Sequence, residues 1–589
     1  MRTTCSTYAP AYTRRAGITV LVLLGLALSR LACSAASSGE VPPAGVPVPF
    51  TDVTETAGLA GFRHENGGFG HVWMPETVGA GGGFLDYDGD DWPDILLVAG
   101  GAFRGHGPAG TPSLRLFRNN GDGTFTDVTE AAGLTGVATY AFGLAVADYD
   151  NDGDQDFFLT TLYENMLFRN NGDGTFTEVG REAGIANNAD WSSSALFFDA
   201  DRDGHLDLFV ANYVDWSPEK DLVCLHNGEK AYCTPQEYTG VPSRFYRNNG
   251  DGTFTERTAE AGFLGGIEPA RDKALGVVEL DYNDDGWPDL AVANDTERDL
   301  LYENNGDGTF TEVGVPRGIA FDDNGKARAG MGIDAGVVDP SGHPTLFVGN
   351  FSEEMVGVYR YTGDGFFLNR DAASRIGYPS LLTLTFGLFL ADLDLDADLD
   401  LLLANGHVQT HIAEVIEGVT FRQRPQVFLN RGDGVFDEFV AEAGPLTRPL
   451  VARGAAYADI DRDGDLDVLL TENDGPAHLW RNDLPGGHVL RVHVEGRQSN
   501  RSGLGTRLRV RAGGQWQERR LQGGSSYLSQ SERVATFGLA GAVEALWVRW
   551  PSGLEEEVSG VEGYDVEVWL VEGEGVVRRR VIGRAGSLP

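Results

Sequence analysis

Asp86-Tyr87-Asp88-Gly89-Asp90-Asp91-Trp92-Pro93-Asp94 puts acids at positions 1, 3, 5 and 9 of a nine-residue loop, directly after the apolar run Phe84-Leu85. Five further loops repeat the spacing: Asp148, Asp150, Asp152 and Asp156; Asp199, Asp201, Asp203 and Asp207; Asp281, Asn283, Asp285 and Asp289; Asp392, Asp394, Asp396 and Asp400; Asp459, Asp461, Asp463 and Asp467. A degraded copy, Asp339-Pro340-Ser341-Gly342-His343-Pro344, lacks the alternating acids. Carboxylates crowded into one turn repel one another and lose hydration unless a cation lies among them. Calcium takes six to eight hard oxygen ligands at about 2.3–2.6 Å and tolerates the irregular geometry of a loop. Six structural Ca2+ sites are expected, and none at Asp339. Ala397 in the sixth loop and Asp91 in the first stand where the other loops carry Gly, so strained turns are expected there.

The residues around each loop read as short strands. Tyr140–Ala147 alternates small and large groups into the Asp148 loop, Asp156–Thr160 leaves it, and Met166–Arg169 runs into Asn170-Asn171-Gly172-Asp173-Gly174 before Phe176–Val179. Asn-Gly and Asp-Gly supply the positive φ angles of tight hairpins, so each unit spells a four-stranded antiparallel blade. No segment of the repeats sustains a helical period. Phe50–Leu59 copies Phe125–Leu134 yet precedes the first loop, while the last repeat ends at Asn482 without a fourth strand. The N-terminal copy fills that gap, and closure removes exposed edges. The expected fold is all-β: a seven-bladed β-propeller closed by an N-terminal strand, plus a small C-terminal β-sandwich. Extra length falls at 213–242 and 406–425, both projecting from the face opposite the acid loops.

The 589 residues hold 87 Asp plus Glu against 46 Lys plus Arg, a formal charge of -41, which argues against nucleic acid and anionic lipid as partners. The 80 glycines recur in register between apolar runs, which separates this chain from a disordered acidic one. Arg14-Arg15, the apolar run Ile18–Leu28 and Ala32-Cys33-Ser34 describe an export signal over 1–33. Cys33 sits where a lipoprotein is cleaved and lipidated, although Arg30 replaces the usual Leu; free secretion is the alternative. The expected location is therefore outer-membrane or cell-surface lipoprotein, or secreted, with membrane contact only through a lipid anchor. A flexible tether (34–48), the propeller (49–485) and the C-terminal β domain (486–589) follow. Cys224 and Cys233 are expected to form one disulfide in an oxidising compartment. From Gly487 onward 14 Arg meet 12 acids. These basic strands can dock on the acidic repeats; stripes of Arg also suggest polyanion binding, but their alternation with Val and Leu favours solvated strand faces.

The acid loops, with Gly and apolar residues ahead of them, resemble the FG-GAP/VCBS repeats of integrin-alpha-type propellers. Ser499–Thr506, Gly523–Ser529 and Arg549–Gly553 resemble the ASPIC/UnbV domain. Together these stretches are similar to bacterial cartilage-acidic-protein-like proteins. The resemblance implies a secreted calcium propeller with an appended β domain and lends no catalytic residues.

Function is expected on the face opposite the acid loops. Its candidates are His64, Glu65, His71, Trp73, Trp191, Arg271, Asp272, Lys273, Arg328, Asp334, His407, His411 and Arg453. Arg271-Asp272-Lys273 can engage an anion or sugar, and His407 with His411 can hold an additional metal. For each the reading as a surface salt-bridge or loop packing residue is the weightier, and no nucleophile elbow, phosphate loop or His-Glu-x-x-His pattern is present. The leading expectation is an exported calcium-stabilised binding or adhesion module for an unidentified protein or glycan. The alternatives are a secreted enzyme working on that opposite face and a structural component of a surface assembly.

Overall fold

The computed structural model describes residues 48–68, 70–107, 112–186, 189–264 and 272–583. The export signal, the Cys33 lipidation site and Arg271 lie outside the described residues. No helix among the described residues is long and apolar enough to cross a membrane.

Each repeat folds as four antiparallel strands in chain order. In the second, Ala141–Ala147, Asp156–Thr161, Met166–Asn170 and Phe176–Glu178 pair successively, with Ala147 opposite Asp156 and Asn170 opposite Phe176. The first two strands are buried throughout because a neighbouring sheet covers each face. Their small residues allow that approach; the fourth strand is only three residues long and largely exposed. The fourth strand of the last repeat comes from the N-terminus: Phe50–Asp52 pairs with Ala477–Asn482, Phe50 opposite Asn482.

The expectation of a closed seven-bladed propeller is corrected by the sheet topology. The described residues form ten separate sheets, nine of four strands and one of two, and none closes into a barrel or curls on itself. Ladder pairing stops at the edge of every four-stranded sheet. Neighbouring sheets are joined by apolar clusters such as Leu144, Val146 and Phe157 with Leu96, Val98 and Leu116, and by single backbone bonds such as Gly81 N–H to Phe142 O.

A polar bond recurs at these junctions. The last residue of the third strand is Asn in repeats one to four, six and seven, and its side-chain NH2 donates to the loop carbonyl of the preceding sheet. The pairs are Asn170 to Tyr87 (2.8 Å), Asn248 to Tyr149, Asn304 to Ala200, Asn430 to Val338 and Asn482 to Leu393; Asn119 donates to Ile460 of the last repeat. The backbone N–H of each Asn also donates to the ninth-position Asp of its own loop, at 2.7 Å for Asn170 and Asp156. Asn170→Ala is expected to cost about 2–3 kcal/mol, since buried groups lose their partners. An unchanged urea midpoint would remove this role for the side chain.

The C-terminal part is two four-stranded sheets around one core of Leu490, Val492, Leu508, Val510, Phe537, Leu546, Val548 and Val568. Its docking depends on the segment 520–532, which touches the first strand of every repeat. Phe84 N–H donates to Gln530 O, Leu144 N–H to Leu528 O, and Leu528 N–H to Ser194 Oγ. Arg520 bonds Glu279 at 2.8 Å, Ser526 and Ile333 exchange backbone bonds, the Tyr527 ring packs on Phe386, and Ser526 Oγ donates to Ala455 O. The preference for solvated Arg faces is corrected for several of these side chains. Arg491, Arg519 and Arg520 turn onto the acid loops, where low exposure and opposite charge outweigh hydration.

Candidate metal loops and the opposite face

One local geometry serves the acid loops, except that in the sixth Asp396 N–H turns to Asp394 and leaves Asp392 Oδ1 without a partner. The first-position Asp148 accepts Asp152 N–H and Gly153 N–H at 3.0 and 2.9 Å, one on each oxygen. The ninth-position Asp156 accepts Tyr149 N–H at 3.1 Å and Asn170 N–H at 2.7 Å. These bonds fold the loop inward and hold the carboxylates side by side. The sixth position needs a left-handed backbone: Gly153 lies at φ 109°, and Ala397 and Asp91 adopt φ 92° and 67° despite their side chains.

Among the described residues, five acid groups gather ligand oxygens within 4.8 Å of one another: Asp86, Asp88 and Asp90; Asp148, Asp150 and Asp156; Asp199, Asp201 and Asp203; Asp392, Asp394 and Asp400; Asp459, Asp461 and Asp467. Each can hold a metal ion. Asp94, Asp152, Asp207, Asp396 and Asp463 complete the same loops outside those tight groups. The fourth loop, Asp281, Asn283, Asp285 and Asp289, is not among the five; the Asn283 amide donates to Asp285 at 2.8 Å. Oδ1 of Asp201, Asp392 and Asp461 is buried without a hydrogen-bond partner, as expected of oxygens that face a cation. Burial, with the neighbouring acids, pushes Asp94 up to about 8, Asp156 to about 9 and Asp392 to about 8. An all-oxygen donor set with orphaned lone pairs fits a hard divalent ion, whose charge would keep these groups ionised.

Arginines from the C-terminal sheets reach the same carboxylates. Arg491 contacts Asp459, Arg519 lies 3.7 Å from Asp392, and Arg520 lies 3.8 Å from Asp281. In the degraded fifth loop Arg360 pairs with Asp339 at 2.6 Å, as Arg247 of the third repeat pairs with Asp201 at 2.5 Å.

On the opposite face most of the nominated side chains are consumed by internal bonds. Arg453 is fully buried, lies 4.1 Å over the Phe386 ring, and donates to the carbonyls of Thr77, Gly406 and Ala452, which ties repeats one, six and seven together. Burial lowers it to about 9. His64 Nδ1 accepts Asp474 N–H and His407 Nδ1 accepts Gln409 N–H; burial, with the nearby Arg453 charge, lowers them to about 3 and about 4. Asp272 accepts Ser243 N–H, Lys273 lies 3.5 Å from Glu297, and Arg328 bonds Asp371. The backbone N–H of Glu65 donates to Ala99. Asp334 accepts Leu390 N–H and lines a cavity beside the acid loops, away from the other candidates. Trp73 and Trp191 join Phe103, Tyr140, Phe142, Tyr213 and Trp216 in an aromatic cluster that fills the middle of this face and reaches Tyr527.

The insertion of repeat three covers that cluster. Cys224 and Cys233 are disulfide-bonded, and Cys224–His226 pairs with Glu229–Ala231 as the two-stranded sheet. Lys230 Nζ donates to His71 O at 2.7 Å, while His71 stacks on Trp73 and Tyr232 bonds Glu76. His226 stacks on His411 from the other insertion, at 3.9 Å between centroids. The stretch 222–225 leaves Val223 74% and Leu225 65% exposed, and Val415 stands 54% exposed on the second insertion.

Two features escaped the sequence reading. The recurrent third-strand Asn looked like the start of a turn, although its repetition before Asn-Gly or Arg-Gly was visible. Segment 520–532 carried a family resemblance but no signal of where it docks.

Family models match at both levels. An FG-GAP-like repeat model matches residues 86–159, 148–210, 281–336 and 413–487, and an "ASPIC and UnbV" model matches 496–576. Cartilage acidic protein 1 of Xenopus tropicalis is 25% identical over 453 residues, 70% of this chain and 61% of that protein; the Homo sapiens protein is 26% identical over 442 residues, 70% and 60%. The match spans about three fifths of those relatives' length. A solved Agrocybe aegerita lectin structure, described as recognising non-reducing terminal N-acetylglucosamine, aligns at 17% identity and TM-score 0.34 over 67% of this chain and 86% of that one. A likeness that distant carries no argument. With FG-GAP-like repeats followed by an ASPIC/UnbV segment, this chain is similar in its order of parts and in sequence to the cartilage acidic proteins.

Proposed function

We propose that this protein is an exported, calcium-stabilised binding module whose partner, a protein, docks on the insertions covering the face opposite the acid loops. Similarity to cartilage acidic proteins supports an exported location, and the Cys224–Cys233 bridge suits an oxidising compartment. Calcium fits each of the five acid groups and the Asp281 loop, because every donor is a hard oxygen and several lone pairs are otherwise orphaned.

The observation that carries the binding reading is the pair of exposed apolar side chains at the disulfide end of the stapled hairpin, Val223 and Leu225, with Val415 exposed on the second insertion. Apolar side chains held out on a rigid base are what a protein interface covers. Catalysis is disfavoured because His64, His407 and Arg453 are buried in structural bonds and aromatic side chains fill the centre. A photoreactive residue at position 223 is expected to crosslink one protein from the native extracellular fraction, and Leu225→Asp is expected to abolish the adduct. Absence of any adduct, or one that survives Leu225→Asp, overturns the reading; saturable glycan binding that Leu225→Asp abolishes would move it from protein to glycan.

A further inference from the structure

A cavity of about 400 Å³ lies between the short fifth loop and the C-terminal sheets. Repeat five leaves this space because its loop lacks the acids and is drawn onto Arg360. One wall comes from the paired strands Arg507–Ala512 and Gln515–Arg520, which present Arg507, Arg509, Arg519 and Arg520. The facing wall contains Asp281 and Asp392, the first-position acids of the fourth and sixth loops. Arg519 Nη2, Arg520 Nε and Thr536 Oγ1 are buried without hydrogen-bond partners at this wall.

Charge decides what such a space can hold. Among its lining residues five arginines meet six acids, close to neutral for the bare chain. Asp281 and Asp392 are also the side chains that a divalent ion would claim. A bound ion is the largest local charge in its site, so an ion held at Asp392 would compete with Arg519 for that carboxylate and leave the guanidinium free to face the cavity. Guanidinium groups match the oxygens of a sulfate, phosphate or carboxylate with paired, charge-assisted bonds. We infer that this cavity binds an oxyanion group in the metal-loaded protein. Its volume falls within the usual range for small-ligand pockets, so it has room for a sugar bearing that group as well as for a free anion.

The ligand class is tested by isothermal titration calorimetry of the calcium-loaded protein, with sodium sulfate and separately with glucosamine 6-sulfate. One saturable site is expected with each. Tighter binding of the sugar sulfate points to an anion carried on a glycan, and equal affinity to a free anion. Arg509 is the removable anchor: its side chain is 41% exposed and meets the Glu518 carboxylate only at 3.7 Å. Arg509→Gln is expected to weaken binding about tenfold while the circular dichroism spectrum stays unchanged. Thr536→Val should weaken it by less. Because coupling is reciprocal, sulfate should raise the apparent calcium affinity. The inference is overturned by the absence of saturable heat with both probes, by unchanged affinity in both variants, or by a calcium affinity indifferent to sulfate.

Discussion

Chelation of divalent ions is expected to lower the melting temperature by on the order of 10–20 °C and to loosen the acid-loop side of every metal-bearing repeat. An ion present at about 100 times its Kd adds about 2.7 kcal/mol per site. In a domain of 150–250 residues each kcal/mol is worth about 2–4 °C, and less in a longer chain, so several sites together reach that range. The cause is local: without the ion, Asp86, Asp88 and Asp90, and the four equivalent groups, confront one another with their lone pairs uncompensated. Arg491, Arg519 and Arg520 offset part of this repulsion in the last, sixth and fourth loops. Arg247 does the same at Asp201 in the third loop, and the Arg533 charge lies near Asp148, so loop amides should exchange faster on chelation in every acid-bearing repeat.

The same carboxylates set an unusual pH slope for the metal-free protein. Asp94, Asp156 and Asp392 stand at about 8, about 9 and about 8 when folded, against 3.8 for an unperturbed Asp. The folded chain binds more protons than the unfolded chain between those limits, so stability falls as pH rises through this window and levels off above it. Chelated protein should melt higher at about pH 6 than at about pH 8. Calcium-loaded protein should slope the other way, because its ligands must lose protons to bind. A chelator-insensitive melting point across both conditions would contradict the metal assignment.

Gly81→Ala and Gly523→Ala are expected to expel the segment that holds the C-terminal sheets on the repeats. A Cβ at Gly81 would meet Leu528 O at 1.8 Å, and one at Gly523 would meet Phe197 O at 1.7 Å. Both obstacles are backbone, so no rotamer change relieves them. Overpacking of this kind costs about 3 kcal/mol or more, close to the upper end for single substitutions. Limited proteolysis should cut within 521–535 in both variants and spare the parent chain. Gly61→Ala, where a Cβ meets nothing within 4 Å, is the control and should leave the cutting pattern unchanged. Uncut Gly81→Ala protein of unaltered midpoint would mean that the segment does not depend on this close approach.

Much of the repeat architecture is legible in the chain because its signals are local. Two-residue alternation, an apolar run and an Asn-Gly or Asp-Gly turn specify a hairpin within about ten residues. The copied stretch Phe50–Leu59 likewise announced a strand for the last repeat, and Phe50 pairs with Asn482. The expected closure into one propeller went further than local signals reach; the described residues form ten separate sheets. Candidates on the opposite face were chosen by residue type and position, which say nothing of burial. His64, His407 and Arg453 became interior groups once residues distant in sequence packed over them.

The amino-acid order alone determined the acid loops, the four-stranded units and the cysteine pair, since each depends on neighbours a few positions apart. Only the tertiary structure decided that 520–532 touches every first strand, that arginines of the C-terminal sheets meet the acid loops, and that the hairpin at Cys224–Cys233 covers an aromatic cluster. Those contacts join residues hundreds of positions apart. They are selected by shape and charge at the docking surface, for which a linear sequence carries no periodic sign.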